Sequence, residues 1–383
     1  MTKRKVQPPP LPAEALAKRQ TAPLIERALT WTRRNQMENM VPAFAIPGFE
    51  RLGVAMSMEK KADRRTDEPN EDNALVFPVR DPRGCIKLGG ILADGAGGEA
   101  NGAEASEAAV QNANDALKKA LAQSLTLTAQ EAERKILAHQ ETKFGKNAVP
   151  KAGCPDIREM LPMAMLEDPR IANSAWAAIE AMRGLETKVA ESGGITTADV
   201  FLIHEAQNGA RFAILASLGD SPAYIRSGKG EIRQITQDDS LMNALLNQKR
   251  LQPEDLAEIQ QDPRKRIMVS GRPMNYAQLR ATITGALGGS RASTEPSLVI
   301  VRLEPGEELL IVSDAMDKLE NAETGKTDTK ILASILAQGQ TSLQRLNLLR
   351  KVIKNPTLLG DAAKRLAQYK KDDDFAGVLI TAQ

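Results

Sequence analysis

The sequence TADVFLIHEAQNGARFAILASLGDSPAYIRSGKGEIRQIT, residues 197–236, contains four short apolar segments separated by three tight turns. The turns are Gln207-Asn208-Gly209, Gly219-Asp220-Ser221 and Ser227-Gly228-Lys229-Gly230. Glycine and asparagine favour hairpin turns because they adopt positive φ angles at little cost. The segment therefore predicts four antiparallel strands that follow one another as a meander.

Strand-like segments also lie on both sides of this meander. They are GVAMSM (53–58), NALVFPV (73–79) and CIKLGGILAD (85–94) before it, and SLVIVRL (297–303), ELLIVSD (308–314) and AGVLITA (376–382) after it. Apolar residues at helical spacing predict helices at about 103–123, 128–143, 157–191, 241–262 and 316–369. Helices packed over antiparallel sheets indicate an α+β domain rather than a doubly wound parallel sheet.

The composition excludes several classes of protein. The 383 residues carry 51 basic and 49 acidic side chains, so the protein has no large net charge that would attract nucleic acid. Only 3% of the residues are aromatic, which leaves few side chains on which bases could stack. No apolar run approaches the roughly 20 residues of a membrane span, and the N-terminus lacks the apolar stretch of a secretory signal. We expect a soluble cytoplasmic protein in which Cys85 and Cys154 are reduced thiols.

The histidine content limits the chemistry further. His139 and His204 are the two histidines of the chain, and the sequence lacks the clustered cysteine and histidine ligands of a usual zinc site. His139 falls in a helical pattern and His204 ends an apolar run, so we predict a surface or strand-edge position for each. Any chemistry is therefore expected to depend on carboxylates.

Four acidic sites occupy one kind of position, the end of an apolar strand or the adjoining turn. They are Asn70-Glu71-Asp72, Asp94-Gly95, Asp314 and Asp372-Asp373-Asp374. A carboxylate at a strand tip is held rigidly while its oxygens reach solvent, which hard cations such as Mg²⁺ and Mn²⁺ require. The small residues after Asp94 also let a backbone carbonyl approach a cation.

The order of these blocks resembles the type 2C (PPM) metal-dependent serine/threonine protein phosphatases. The matching blocks are NEDNALVF (70–77), ILADGAGGEANGAEAS (91–106), ITTADVFLI (195–203), ASLGDSPAYIRSGKGEIRQITQDDSL (216–241), ITGALGG (283–289), LLIVSDAMDKL (309–319) and DDDFAGVLI (372–380). The resemblance implies a four-layer αββα sandwich of two antiparallel sheets flanked by helices. It also implies two Mn²⁺ or Mg²⁺ ions at one end of the sandwich, with a third ion as an option.

The resemblance assigns roles to the strand-end residues. Asp94 resembles the carboxylate that bridges both ions, and the Gly95 carbonyl resembles a ligand of the second ion. Asp314 and Asp373 resemble ligands of the first ion, while Glu71 and Asp72 match an acidic pair that binds metal directly or through water. With Asp72 and Asp94 as catalytic residues, the implied reaction is attack of a metal-bridging water on phosphoserine or phosphothreonine in a protein substrate.

Several positions depart from the family pattern. Ala96 stands where some relatives carry a histidine proposed as general acid, Ala315 replaces a usual glycine, and Gly285 replaces a common arginine. Asp67 occupies the expected position of the phosphate-binding arginine, and Arg65 is the candidate if a short insertion is allowed. These departures keep open a catalytically weak or inactive scaffold that acts as a binding or regulatory module.

The resemblance also divides the chain. Residues 1–50 are predicted to be an appendage, partly flexible with one helix, that could dock a partner. Residues 51–383 are predicted to form the phosphatase domain, with a helical insertion at about 143–191 and a flap-like segment at about 241–283. Glu191 is the nearest candidate for an extra metal-binding aspartate of bacterial relatives.

One further alternative starts from Gly95-Ala96-Gly97-Gly98-Glu99-Ala100, which matches a dinucleotide-binding fingerprint after a strand. That site would need a second parallel strand that ends in an acidic residue about 20 positions later. Helical sequence continues to about residue 123 instead, and the meander is antiparallel, so this alternative fits poorly.

Overall fold

The computed structural model describes residues 52–59, 70–96, 101–145, 154–262, 265–289, 292–321, 326–366 and 373–383, and the backbone of residues 43–44. Within these ranges, no helix is long and apolar enough to cross a membrane. Among the described residues, neither cysteine forms a disulfide: Cys85 is exposed and Cys154 is half-buried.

The strands of the sandwich form two antiparallel sheets. The six-stranded sheet has the order β1-β2-β13-β12-β7-β8, and the five-stranded sheet has the order β11-β6-β5-β4-β3. The bounds are β1 Ala43–Phe44, β2 Leu52–Glu59, β3 Asp72–Arg80, β4 Ile86–Gly95, β5 Thr196–Glu205, β6 Arg211–Leu218, β7 Ala223–Arg226, β8 Ile232–Gln234, β11 Ser297–Leu303, β12 Glu308–Val312 and β13 Phe375–Ala382. β1 lies inside the segment predicted as an appendage, so the sheet begins before residue 51. The rest of the predicted appendage lies outside the described residues.

Helices cover the outer face of each sheet. α1 Gly102–Ser124, α2 Ala129–Phe144, α3 Ile157–Glu167 and α4 Arg170–Ser192 cover the five-stranded sheet, and α8 Thr329–Ala337 and α9 Ser342–Lys354 cover the six-stranded sheet. The other described helices are α5 Leu241–Asn247, α6 Pro253–Gln261 and α7 Tyr276–Ala281, with 3₁₀ helices at Asp314–Leu319 and Pro356–Arg365. α4 falls in the region predicted as an insertion, yet its apolar face is buried with α1 against the five-stranded sheet. It therefore forms part of the main helical layer.

Three apolar layers hold the sandwich together. Leu88, Leu92 and Val378 belong to the layer between the two sheets. A second layer joins α1–α4 to the five-stranded sheet, and a third joins α8 and α9 to the six-stranded sheet. The side chains of one strand alternate between two layers, because successive residues point to opposite faces. The predicted four-layer αββα fold is thus confirmed.

The predicted meander is wrong in one respect. β5 and β6 pair with each other in the five-stranded sheet, whereas β7 pairs with β8 and β12 in the six-stranded sheet. The turn at Gly219, Asp220 and Ser221 carries the chain from one sheet to the other. Gly219 has φ +117°, and a Cβ there would lie 2.3 Å from Cβ of Thr197, so only glycine fits this crossing.

Residues 241–283 form a small unit with its own apolar cluster. The cluster contains Met242, Leu245, Leu251, Ile259, Val269, Tyr276 and Leu279. The unit includes the two-stranded sheet of β9 (Ile267–Val269) and β10 (Arg272–Met274). The helix predicted at 241–262 is broken into α5 and α6 at residues 248–252, where Lys249 has φ +55° and Pro253 begins the next helix.

Candidate active site

The first two carboxylates of the site are cross-strand neighbours. Asp72 begins β3 and Asp94 lies near the end of β4, and the two residues are directly opposed in the antiparallel register. Directly opposed side chains project from the same face of a sheet. Asp72 is buried, while Asp94 is half-buried at the open end of the sandwich.

Two other segments reach this pair from the six-stranded sheet. Asp314 follows β12, and its backbone N–H donates to Oδ2 of Asp94 at 3.3 Å. Asp374, just before β13, accepts the backbone N–H of Glu71 on Oδ2 at 2.7 Å. The side chain of Asp373 accepts the N–H of Asp374 at 2.9 Å. The structure therefore brings together the four acidic segments that the sequence singled out.

The carboxylates raise one another's pKa. Burial raises the pKa of Asp72 well above its usual range, and the charges of Asp374 and Asp373 add to that effect. Burial followed by repulsion from Asp72 and Asp314 raises the pKa of Asp94 well above its usual range. For Asp314, burial is again the largest cause, and Asp220 and Asp373 add to it. The cluster holds more negative charge than its surroundings neutralise.

Gly95 lies where no side chain fits. Its N–H donates to the carbonyl of Glu71 at 3.0 Å, and a Cβ would lie 2.3 Å from the carbonyl oxygen of Gly102. The close approach of three backbone segments holds this peptide rigidly beside Asp94. Thr196 supports the same strand end, because its hydroxyl donates to the Asp94 carbonyl at 2.8 Å.

The sequence interpretation gave no role to Asp220, which the structure adds to the site. Its charge raises the pKa of both Asp94 and Asp314. Burial, with repulsion from Asp238 and Asp317, raises the pKa of Asp220 itself to about 7. The Gly-Asp-Ser turn is visible in the sequence. The sequence predicts a single meander, however, and therefore does not show that this turn connects the two sheets.

Arg280 of α7 is a second residue without a predicted role. Its guanidinium forms ion pairs with Asp317 and Glu320, on and just after the 3₁₀ helix that begins at Asp314. Glu320 is fully buried, so this pair ties the 241–283 unit to the segment carrying Asp314. Gly285, where an arginine was expected, has no room for one: a Cβ would lie 2.5 Å from Oδ2 of Asp239. Within the part of the chain that the structure describes, the ion pairs that join this unit to the 3₁₀ helix are therefore made by Arg280 and not from position 285.

The positions predicted for the histidines are wrong. His139 is 5% exposed and His204 is 1% exposed, and both have hydrogen-bond partners in the interior. The ring of His139 contacts the Pro296 carbonyl at 2.7 Å, and His204 contacts Asp168 at 3.1 Å. Their burial depends on helix packing that no local pattern reveals.

Some predicted residues do not join the described site. Glu191 is exposed and forms an ion pair with Lys188 at 2.8 Å, on the last turns of α4. Arg65, Asp67 and Asp372 lie outside the described residues. Ala315, in contrast, is buried beside Asp314, where a small residue is accommodated.

The donor chemistry of the site suits a hard divalent cation. Asp72 Oδ2 is buried without a hydrogen-bond partner, an arrangement that costs free energy unless a cation or proton compensates it. The surrounding groups are carboxylate, hydroxyl and carbonyl oxygens, which Mg²⁺ and Mn²⁺ prefer. As placed, however, no three acidic, histidine or cysteine side chains within the described ranges form a ready-made metal-binding group.

Comparison with known proteins identifies the family. Residues 61–347 match the family described as Protein phosphatase 2C. The serine/threonine phosphatase stp of Listeria monocytogenes serotype 4b is 27% identical over 265 residues, which are 69% of this chain and 79% of that protein. The chain belongs to the protein phosphatase 2C family. It is a protein serine/threonine phosphatase of the PPM type.

Solved structures of phosphatases also align with the chain. The S. agalactiae serine/threonine phosphatase aligns with a TM-score of 0.46 and 19% identity, over 87% of this chain and 100% of that one. The Mycobacterium tuberculosis serine/threonine phosphatase PstP/Ppp aligns with a TM-score of 0.44 and 19% identity, over 87% of this chain and 99% of that one.

Proposed function

We propose that this phosphatase hydrolyses phosphoserine and phosphothreonine in proteins with two Mn²⁺ or Mg²⁺ ions held by Asp72, Asp94, Asp314, Asp373 and the Gly95 carbonyl. The observation that supports this most strongly is the convergence of Asp72 and Asp94, on two adjacent strands, with Asp314, which is 220 residues from Asp94 in the chain, at one end of the sandwich. Bound there, the cations would neutralise the cluster and activate water for attack on phosphorus.

The protein's own groups would hold and orient this site. Asp72 and Asp94 present carboxylates from adjacent strands, and Glu71 is fixed beside them because its N–H donates to Asp374. Cation binding would favour the ionised form of Asp72, whose pKa is raised by burial and by the charges of Asp374 and Asp373. We propose Arg65 as the residue that binds the substrate phosphate. Two further predictions are a cytoplasmic location and a docking role for residues 1–50.

Hydrolysis of p-nitrophenyl phosphate and of a phosphothreonine peptide tests the proposal. Activity should require Mn²⁺ or Mg²⁺, disappear in EDTA, and fall in Asp94→Asn and Asp314→Asn proteins. Asp115→Asn, at an exposed carboxylate on α1, is the matched control and should keep full activity. Folded wild-type protein that takes up no cation in calorimetry and shows no turnover would instead support the inactive scaffold.

A further inference from the structure

The turn that carries Asp220 is attached to the five-stranded sheet beside Asp94. Oγ of Ser221 lies 3.2 Å from Oγ1 of Thr197 on β5. Thr197 is directly opposed to Asp94 in the antiparallel register of β4 and β5. The residue after Asp220 is therefore fixed one strand away from a carboxylate on which the proposed metal site depends.

The same turn is attached to the six-stranded sheet beside Asp314. The carbonyl of Pro222 accepts the backbone N–H of Val312 at 3.1 Å, two residues before Asp314. Asp220 thus lies between the segments that carry Asp94 and Asp314, and its charge raises the pKa of both carboxyl groups. The position of this turn therefore determines how much negative charge the aspartate cluster presents to a cation.

Asp239 holds the first residue of this turn at two points. Its Oδ2 accepts the backbone N–H of Gly219 at 3.2 Å, and its own N–H donates to the Gly219 carbonyl at 2.7 Å. The carbonyl of Asp239 accepts both the N–H of Thr284 at 2.7 Å and the Thr284 hydroxyl at 2.9 Å. Asp239 is therefore itself fixed, and it ties the crossing between the two sheets to the chain that follows the 241–283 unit.

Lys143 of α2 neutralises the Asp239 carboxylate. Its Nζ lies 2.8 Å from Oδ2 of Asp239 and donates to the Glu295 carbonyl at 2.7 Å. The lysine side chain is 7% exposed and the aspartate side chain is 15% exposed, so salt screens this ion pair little. The carboxylate of Asp239 can therefore accept from Gly219 without adding an uncompensated charge beside the cluster.

We propose that Asp239 is a positioning residue of the phosphatase site, which acts by fixing the Gly219–Asp220 turn between the two sheets. This inference rests on the proposed function, because the charge that Asp239 positions acts on the proposed metal ligands. Without the carboxylate of Asp239, Asp220 should move relative to the cluster. We expect Mn²⁺ binding to weaken about tenfold, since partners that orient metal ligands cost 10–100-fold when they are replaced.

Calorimetric titration of the full chain with Mn²⁺ tests the proposal. Asp239→Ala removes the acceptor for the Gly219 N–H and should weaken Mn²⁺ binding about tenfold. Asp239→Asn keeps an oxygen acceptor of the same shape and should retain most of the affinity, which separates the contact from the charge. Arg183→Met, which removes a neighbouring ion pair with Glu295, is the matched control and should bind Mn²⁺ as the wild type does.

A variant that lacks the whole ion pair keeps the test decisive if Asp239→Ala does not fold. Asp239→Ala alone leaves the buried Lys143 without its anion, whereas Asp239→Ala combined with Lys143→Met leaves no unpaired charge. This combined variant should also bind Mn²⁺ about tenfold more weakly than the wild type.

A double-mutant cycle shows whether Asp239 acts through Asp220. Asp220→Asn removes the charge that Asp239 is proposed to position, so the combined variant should cause no further loss of Mn²⁺ affinity in that background. Effects of independent sites would add instead. The proposal is overturned if a folded Asp239→Ala or combined variant binds Mn²⁺ as tightly as the wild type, or if the losses are additive. Wild-type protein that binds no Mn²⁺ would overturn the proposed function together with this inference.

Discussion

The backbone N–H of Asp314 donates to Oδ2 of Asp94 at 3.3 Å, although 220 residues separate them in the chain. Asp94 belongs to the five-stranded sheet, and Asp314 follows a strand of the six-stranded sheet. The contact therefore joins the two sheets at the end where the carboxylates converge. Any separation of the sheets would also separate the proposed metal ligands, so the packing of the core and the geometry of the site depend on each other.

Replacing Asp94 or Asp314 with asparagine should raise stability without cations and remove the stabilisation that cations provide. Each substitution removes one charge from a cluster whose members repel each other. In EDTA, the melting temperatures of Asp94→Asn and Asp314→Asn should exceed that of the wild type. With Mn²⁺ at about 100 times its Kd, the wild type should gain about 2.7 kcal/mol.

Differential scanning fluorimetry with and without Mn²⁺ measures both effects. Activity of the two variants should fall at least about 100-fold, since even outer-shell partners of metal ligands cost 10–100-fold when replaced. Asp115→Asn, with a largely exposed carboxylate, is the control and should match the wild type in every condition. An equal Mn²⁺-dependent rise in melting temperature for Asp94→Asn would argue against the proposed ligand.

Replacing Arg280 with methionine should destabilise the protein by about 3–5 kcal/mol. The change would leave Glu320 buried and Asp317 half-buried without their shared cation. Urea unfolding of Arg280→Met and Arg280→Lys gives the measurement, with a smaller loss expected for lysine because the positive charge remains. A methionine variant as stable as the wild type would show that the ion pairs contribute little.

The same substitution should affect the site as well as the fold. Arg280 lowers the pKa of Asp220, which burial and neighbouring carboxylates raise to about 7. Loss of the guanidinium should therefore raise the pKa of Asp220 further, and any limb of the pH–rate profile that reports this group should move to higher pH. Arg280→Lys should restore the wild-type profile in part.

The sequence could predict the strand-end carboxylates but not the contacts that depend on distant packing. Asp72, Asp94 and Asp314 could be found because a strand pattern beside an acidic turn is local. The crossing at Gly219 could not be found, because strands joined by tight turns can still pair in different sheets. The contacts of Arg280 depend on how the 241–283 unit lies against the 3₁₀ helix, which is a tertiary arrangement without a periodic signal.

Replacing Asp199 with asparagine should stabilise the protein at neutral pH. Asp199 lies on β5, is 1% exposed, and has no hydrogen-bond partner for either carboxylate oxygen. Burial raises its pKa from 3.8 to about 8. The pKa of Asp199 is 3.8 in the unfolded chain and about 8 in the folded protein. Its contribution to stability is therefore fully present below pH 3.8 and is lost as the pH rises through about 8.

At pH 7 this loss of stability is up to about 4 kcal/mol. Asp199→Asn should recover about 1–4 kcal/mol of it, because asparagine does not ionise but its buried amide still has a cost. Urea unfolding between about pH 4 and pH 8 should show a flatter pH dependence for the variant than for the wild type. If Asp199→Asn is less stable at neutral pH and keeps the wild-type slope, the carboxylate has a partner that compensates its charge.

His204 should make the protein less stable as the pH falls from neutral. Nδ1 of the ring lies 3.0 Å from Nζ of Lys87 and 2.9 Å from Oγ of Ser174. Nε2, on the other side of the ring, lies 3.1 Å from Oδ2 of Asp168. Neutral His204 can accept from Lys87 and donate to Asp168, but the protonated ring would face the lysine ammonium. Burial, followed by repulsion from Lys87, lowers the pKa of His204 from 6.5 to about 4.

A depressed histidine pKa means that the unfolded chain takes up a proton before the folded protein does. The contribution of His204 to stability is therefore present above pH 6.5 and is lost as the pH falls through about 4, by about 3 kcal/mol in total. His204→Gln cannot titrate, so its stability deficit relative to the wild type should shrink by about 2 kcal/mol between pH 7 and pH 5 in urea unfolding. A deficit that stays constant over this range would mean that the imidazole is not held neutral by Lys87 and Asp168.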